Sequence, residues 1–422
     1  MDALYAALAA CPPPACADAA PAAYAPTWSD ASPRAALFAG PLGSGKTAAL
    51  ALAARQAADA GAAVLYLDLA DPRLPRRPDV PVRVLDALFA RDPAARAGRI
   101  ALLLDNAEAL PGWQPFAARL LDVYDLRLVA AAAARSWAAA GLARELGCEL
   151  RAVELRPRPW YELRHALSFP EFLQVGGLAD MGAGAPSAAP ALVRRRVEGV
   201  VAGLAARTDG LPPAPATRRA AALVLAQAGG RVSLTCLAAD LAAEGLAASR
   251  PALARLLAAL EESYLVQALH DVSFAPANDP AAPVSPRAAA TVYACDQALA
   301  CAFAPGAPNR AVLERHAVLA HLGRALGAAG RVATCRAGVR GSVSFAVLDV
   351  RGAARLLVQV EPPGPEPSCR AARRDLERAM GERGVARGLL LAHDGREGRA
   401  SCAAGSVEVV PLEDWLAAPD PL

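Results

Sequence analysis

Apolar and polar positions divide the chain into two kinds of territory. Between residues 33 and 156, short apolar runs alternate with longer stretches of helical periodicity. The runs Ala35–Ala39, Ala63–Leu69, Ile100–Leu104, Leu126–Ala131 and Ala152–Leu155 read as strands. The segments 46–60, 82–94, 114–124 and 136–146 read as helices between them. This alternation predicts an α/β fold, a parallel sheet with helices on both faces. Runs without a polar residue, such as Ala101–Leu104, suit strands buried on both sides.

The flanking territory is less regular. Residues 1–32 read as a loose lead, rich in Pro and Ala from 11 onward. Residues 157–180 gather Trp160, Tyr161, Phe169 and Phe172, and 182–190 reads as a Gly/Ala/Pro/Ser loop. Residues 191–272 are mainly helical. Within 217–269 the order reads helix, helix, helix, strand. Ser233 caps a helix carrying Leu234, Leu237 and Leu241, and Ser249 precedes one with Pro251 in its first turn. Leu253, Leu256, Leu257 and Leu260 form the apolar face of the latter, and Tyr264–Leu269 reads as the strand. A second Pro-rich linker occupies 274–288. Helices and strands mix again from 289 to 422, with a Pro/Gly loop at 362–367. No internal repeat is visible. The expected divisions are 1–32, 33–156, 157–216, 217–273 and 289–422.

Length and charge narrow the function classes. A chain of 422 residues has room for several domains, and a net charge of +3 gives no global pull toward nucleic acid or an anionic membrane. The most apolar stretch, Leu126 to Ala143, contains Arg127 and Arg135, so it is not a spanning helix. No basic region precedes the first apolar residues, so no signal peptide is expected. The nine cysteines are scattered without a C-x-x-C pair, which argues against disulfides or a zinc site. A cytoplasmic protein without membrane attachment is the expectation. The balance of basic residues is more telling. Lysine and arginine together number 44, and Lys46 is the only lysine.

That lysine falls inside Gly40-Pro-Leu-Gly-Ser-Gly-Lys-Thr47, which fits G-x-x-x-x-G-K-[ST] between a predicted strand and a predicted helix. Glycines at 40, 43 and 45 let backbone N–H groups, with Ser44, curl around a phosphate at a helix N-terminus. Lys46 supplies a compact charge to the β- and γ-phosphates of ATP, and Thr47 a hydroxyl to Mg²⁺. A planar guanidinium does not replace an ammonium in so tight a loop. The run Ile100-Ala-Leu-Leu-Leu-Asp105 supplies the acid that holds Mg²⁺ through water, in the manner of a Walker B aspartate. Asn106 follows it. An amide orients water but takes no proton. Glu108 could substitute, though an extended backbone would not put it in the same place.

The pattern resembles bacterial and archaeal AAA+ ATPases in which a winged helix is followed by a region of the PD-(D/E)XK nuclease fold. Beyond the P-loop, LLLDNAEALPGW (102–113) is similar to the family's Walker B strand, with Trp113. LRPRPWYEL (155–163) is similar to its Pro-x-Ser-Phe-x-Glu segment, through Pro157, Trp160 and Glu162. FLQVGGL (172–178) resembles its Gly-Gly element, and VYACDQALA (292–300) a Tyr-x-x-Asp turn. The departures are specific. Asn106 stands where the family has Glu, and only Ser136 could serve as its sensor. Cys148-Glu149 replaces a Gly-Arg, which puts an arginine finger there in doubt. At the nuclease positions stand Ser344 and Gln359, which cannot replace two anionic metal ligands. Glu314 and Glu361 remain, expected as scattered, solvated carboxylates, so no active nuclease is expected.

Charge weighs against DNA recognition by residues 217–272. Arg218, Arg219, Arg231, Arg250 and Arg255 are balanced by Asp240, Glu244, Glu261, Glu262 and Asp271. Arg250 and Arg255 could touch phosphate, but a packing module is favoured; the run Arg194–Arg196 reads as a solvated helix face. His316 and His321, five apart, do not share a helix face as a metal pair would. The expectation is an ATP- and Mg²⁺-binding protein with slow ATPase activity. Its C-terminal regions would bind an unidentified protein, with DNA and self-association as further possibilities. The alternative is a non-hydrolysing, nucleotide-dependent regulatory switch carrying a winged helix.

Overall fold

Five apolar runs of the N-terminal region pair side by side, as their alternation with helices requires. The computed structural model describes Leu4, Tyr5, Ala7 and residues 33–137, 141–178, 189–207, 209–272, 290–306, 309–327, 329–337, 341–364, 366–393 and 395–419. The linker 274–288, most of the loop 182–190 and nearly all of the lead 1–32 lie outside these residues. The chain forms two units, 1–156 with Glu262–Tyr264, and 157–261 with 265–422.

In the first unit, β1 (Ala35–Ala39), β2 (Ala63–Asp68), β3 (Ile100–Asp105), β4 (Leu126–Ala132) and β5 (Leu150–Glu154) form one parallel sheet. Its order is β2-β3-β4-β1-β5, the arrangement of a P-loop NTPase. β5 starts two residues before the expected Ala152–Leu155 and ends one residue before it. Among the described residues it pairs with β1 alone, at the sheet edge, so Arg151 stays exposed and breaks the apolar pattern. Alternate residues face opposite sides. Leu37, Leu102, Leu104 and Leu128 pack on one side with Trp113, and Phe38, Tyr66, Leu103 and Val129 on the other.

The second face is covered by α1 (Lys46–Asp59). Ala49, Leu50, Ala53 and Ala54 of this helix are buried against the sheet. Its N-terminus has neither a side-chain cap nor an acid in its first turn. Packing therefore holds α1. A fully buried leucine such as Leu50 contributes about 1.5–3 kcal/mol, against about 1 kcal/mol for a good cap. The uncapped N–H groups stay available to an anion. The other helices of this unit are α2 (Val80–Arg91), α3 (Gln114–Val123) and α4 (Leu142–Leu146).

The second unit starts with α5 (Trp160–Leu163), α6 (Phe169–Val175), α7 (Ala189–Ala205) and α8 (Ala214–Ala226). A strand that the pattern did not predict, β6 (Gly230–Val232), precedes α9 (Leu234–Ala243) and α10 (Arg250–Glu262). At three residues it is too short to show a period of two. β7 is Val266–Leu269, shorter than the expected Tyr264–Leu269, because Tyr264 takes a left-handed conformation (φ 56°) that ends α10. β8 (Ala290–Ala294) lies between β6 and β7, antiparallel to both. After α11 (Gln297–Phe303) and α12 (Arg310–Leu326) comes a six-stranded mixed sheet of order β13-β14-β12-β11-β10-β9. Its strands are β9 (Gly330–Ala337), β10 (Gly341–Asp349), β11 (Ala354–Val360), β12 (Arg387–Ala392), β13 (Gly398–Cys402) and β14 (Gly405–Pro411). α13 (Glu366–Arg383) connects the parallel pair β11 and β12, and α14 (Leu412–Ala417) ends the described chain. Among the described residues, no helix is long and apolar enough to cross a membrane.

Candidate nucleotide-binding site

The loop Gly40–Thr47 joins β1 to α1 and encloses an open cradle. Gly40 donates its N–H to Ala132 O at 3.2 Å, and a Cβ there would run into the Leu155 carbonyl. Gly43 and Gly45 take φ of 76° and 91°, a region that favours glycine. A Cβ on Gly45 would meet nothing within 4 Å, so backbone conformation and not crowding selects glycine there. Lys46 is only 8% exposed. Its Nζ donates to the carbonyls of Gly40 (2.9 Å) and Pro41 (2.8 Å), which hold the ammonium over the cradle. The Ser44 hydroxyl is buried with no hydrogen-bond partner among the described residues. An unpaired buried donor, a buried ammonium and an uncapped helix N-terminus fit a bound phosphate chain.

Asp105 closes β3 on the same side of the sheet and is 2% exposed. Its Oδ2 accepts from Thr47 Oγ1 (2.7 Å) and Tyr66 Oη (2.9 Å), and its Oδ1 from the Asn106 N–H (2.9 Å). Thr47 and Asp105, the two expected Mg²⁺-associated residues, are thus in direct contact. Both offer oxygen donors, as a hard divalent cation requires.

Backbone geometry after Asp105 changes the expectation for Glu108. Asn106 is left-handed (φ 48°, ψ 46°), and Ala107–Ala109 form a 3₁₀ turn, closed by Ala109 N–H to Asn106 O at 2.9 Å. The chain is therefore not extended here. It folds back, and the charges of Lys46 and Asp105 both act on the Glu108 carboxyl. Glu108 keeps solvent access, yet protein crowds its carboxyl, and that desolvation raises its pKa. Lys46 and the backbone of Ala133 pull it down less strongly. Trp113, fully buried, donates its indole N–H to Ala107 O at 3.0 Å and pins the turn from below.

Two neighbours escaped the reading of the sequence. Tyr66 and Asp68 stand two apart on β2, and Asp68 is in register with Asp105. Asn106 Nδ2 donates to Asp68 Oδ1 at 2.8 Å. A polar pair at i and i+2 closing an apolar strand was the available signal. Ser136, the expected sensor position, donates through Oγ to Glu262 Oε1 at 2.5 Å. Glu149 is exposed at the start of β5.

The second unit corrects one expectation and gives two motifs a structural meaning. Glu314 and Glu361 are not solvated; they are 0% and 1% exposed. Each is neutralised by an arginine, Arg310 on Glu314 (2.8 Å) and Arg396 on Glu361 (2.8 Å). His393 Nε2 lies 2.8 Å from Glu361 O and 3.3 Å from the Glu314 carboxylate, which raises the pKa of the imidazole. Burial of an acid is tolerated when a cation accompanies it, and the sequence does not show which cations arrive from distant segments. Ser344 donates its backbone N–H to Gln359 Oε1 at 2.9 Å. Among the described residues, no group of three or more His, Cys, Asp or Glu side chains could hold a metal ion. His316 and His321 are buried, and burial pushes both down to about 4. The segments 172–178 and 292–300 meet at Asp296, which accepts from Gly177 N–H (2.8 Å) and Ala298 N–H (2.7 Å). In the helical region, Arg219 pairs with Glu244 (2.5 Å), and Arg255 donates to Gly210 O (3.3 Å).

No protein-family model matches the chain, and no curated protein matches it. Solved structures are similar over part of it, among them the following three. The Walker-type ATPase PABY2304 of Pyrococcus abyssi is 13% identical, over 64% of this chain and 91% of that one, with a TM-score of 0.40. AMPPCP-bound DnaA from Aquifex aeolicus is 17% identical, over 54% and 81%, at 0.28. Drosophila ORC bound to AT-rich DNA and Cdc6 is 13% identical, over 67% and 85%, at 0.22.

Proposed function

We propose that the chain is an AAA+ ATPase that binds Mg·ATP at Gly40–Thr47 and Asp105 and hydrolyses it slowly. One observation carries this reading: the only lysine sits in a glycine cradle beside a directly bonded Thr47–Asp105 pair. Backbone N–H groups of the loop and the α1 N-terminus bind the phosphates, and Lys46 neutralises their charge. Bound Mg²⁺ would supply further positive charge to the phosphates, with Thr47 and Asp105 as the residues that hold it. Glu108 is the group suited to accept a proton from an attacking water. Desolvation raises its pKa, which makes it a stronger base than an unperturbed carboxylate. Asp105 is poorly placed for that task, since its oxygens already accept three hydrogen bonds.

The C-terminal regions are read as a binding platform. Three helices and the strands β6, β7 and β8 support a winged-helix-like module. The arginine partners of Glu314 and Glu361, with Ser344 and Gln359, support a PD-(D/E)XK-like domain without nuclease activity. Protein recognition and self-association are favoured over DNA, because two of the five arginines in 217–272 are already engaged within the protein. The non-hydrolysing switch is the second reading, and the amide at position 106 favours it.

Single-turnover hydrolysis separates the two. With nucleotide affinity measured in parallel, wild type is expected to turn over ATP, and Glu108→Gln to bind ATP normally but lose at least about 10²-fold in rate. Binding without turnover by wild type leaves the switch. Binding unaffected by Lys46→Ala sinks both readings.

A further inference from the structure

We propose that Asp68 is a positioning residue for hydrolysis: its carboxylate holds Asn106 in the left-handed turn that brings Glu108 to the nucleotide cradle. This rests on the hydrolytic reading above and names a residue that reading does not use. Four observations support it. Asn106 is one of two non-glycine residues with positive φ among those described. Such a conformation persists where surrounding contacts fix it. The contact here is specific, since Asn106 Nδ2 donates to Asp68 Oδ1 at 2.8 Å across neighbouring strands. Asp68 is itself held, because the same oxygen accepts the Ala70 N–H at 3.0 Å, and the strand register places it opposite Asp105.

The consequence is a division of labour. The Asn106 amide is committed to Asp68, so its task is to set the backbone. Trp113 fixes Ala107 O on the other side of the same turn. These two anchors hold the 3₁₀ turn, and from it the Glu108 carboxyl accepts the Ala133 N–H just past β4, whose Ala132 O accepts from Gly40 of the phosphate loop. Released from Asp68, Asn106 would relax to an ordinary conformation and Glu108 would turn away.

The latch needs an acceptor at position 68, not a negative charge. Asp68→Asn keeps a carbonyl oxygen there, whereas Asp68→Leu removes it. In the full chain, Asp68→Leu is expected to lower kcat for ATP at least about tenfold while KM and the affinity for a non-hydrolysable ATP analogue stay within about twofold. Asp68→Asn should restore kcat to within about threefold of wild type. Amide hydrogen exchange of residues 106–110 in nucleotide-free protein reads the latch without catalysis. It should quicken at least about tenfold in Asp68→Leu and stay unchanged in Asp68→Asn. Wild-type kcat or wild-type exchange in Asp68→Leu overturns the proposal alone, as does an Asp68→Asn variant as impaired as Asp68→Leu. Absence of turnover in wild type defeats the hydrolytic reading and this assignment together.

Discussion

Replacing Lys46 with arginine preserves charge and changes shape, so it tests whether the cradle reads an ammonium. The side chain is 8% exposed, and its Nζ fits between two carbonyls at 2.9 and 2.8 Å. A guanidinium spreads its charge over a wide planar fork and cannot seat between those oxygens without displacing the loop. The Lys46→Arg variant would therefore lose the contact to the phosphates, or keep it by opening the turn at Gly43 and Gly45. Hydrogen bonds to charged groups contribute about 1.5–3 kcal/mol each. Loss of about 3 kcal/mol corresponds to more than about 100-fold in Kd. The assay is titration calorimetry with Mg·ATP, with thermal melting to show that the variant is folded. Lys46→Arg should melt close to wild type, because the buried alanine face of α1 is untouched. A folded Lys46→Arg protein that binds Mg·ATP within about threefold of wild type would refute the reasoning. The single lysine would then be a relic of composition.

Two further predictions concern the Asp296 latch in the second unit. A Cβ on Gly176 would overlap the Asp296 carboxylate at a φ of +74°, so Gly176→Ala is expected to destabilise the protein by about 2 kcal/mol or more in urea denaturation. A neutral result would mean that the two segments are not in close approach. Burial pushes Asp296 up to about 6 from 3.8, against two backbone N–H donors that favour the anion. The folded protein therefore binds this proton more tightly than the unfolded chain, and stability falls as pH rises from about 4 through about 6. The loss is on the order of 3 kcal/mol at about 1.4 kcal/mol per unit. Asp296→Asn should remove this component from the difference between the two proteins' stability–pH curves. Parallel curves would show that Asp296 titrates normally.

The candidate site was legible in part because its chemistry is local. Gly40, Gly43, Gly45, Lys46 and Thr47 lie in one short segment whose backbone must curl, so residue type and spacing reveal the task. Asp105 was legible because an acid that ends a wholly apolar run marks the carboxyl end of a buried strand. Tyr66 and Asp68 were not. Their partners lie 39 and 38 residues away, and only the pairing of β2 with β3 brings them together. Glu108 shows the same limit. An amino-acid string gives its distance along the chain from Asp105, but not the sign of φ at Asn106, which decides where the carboxyl points.

The order of apolar and helical runs determined the parallel sheet and its helices, since period and length are properties of neighbouring residues. It did not determine the burial of Glu314 and Glu361. Arg310 lies one helical turn from Glu314, but Arg396 and His393 reach the two acids from beyond β12. Local sequence therefore specified the strands, the phosphate loop and its lysine. Tertiary structure decided which carboxylates are neutralised by distant arginines and which accept hydrogen bonds from neighbouring strands. Those outcomes depend on long-range pairing and desolvation, and neither is a property of any short segment.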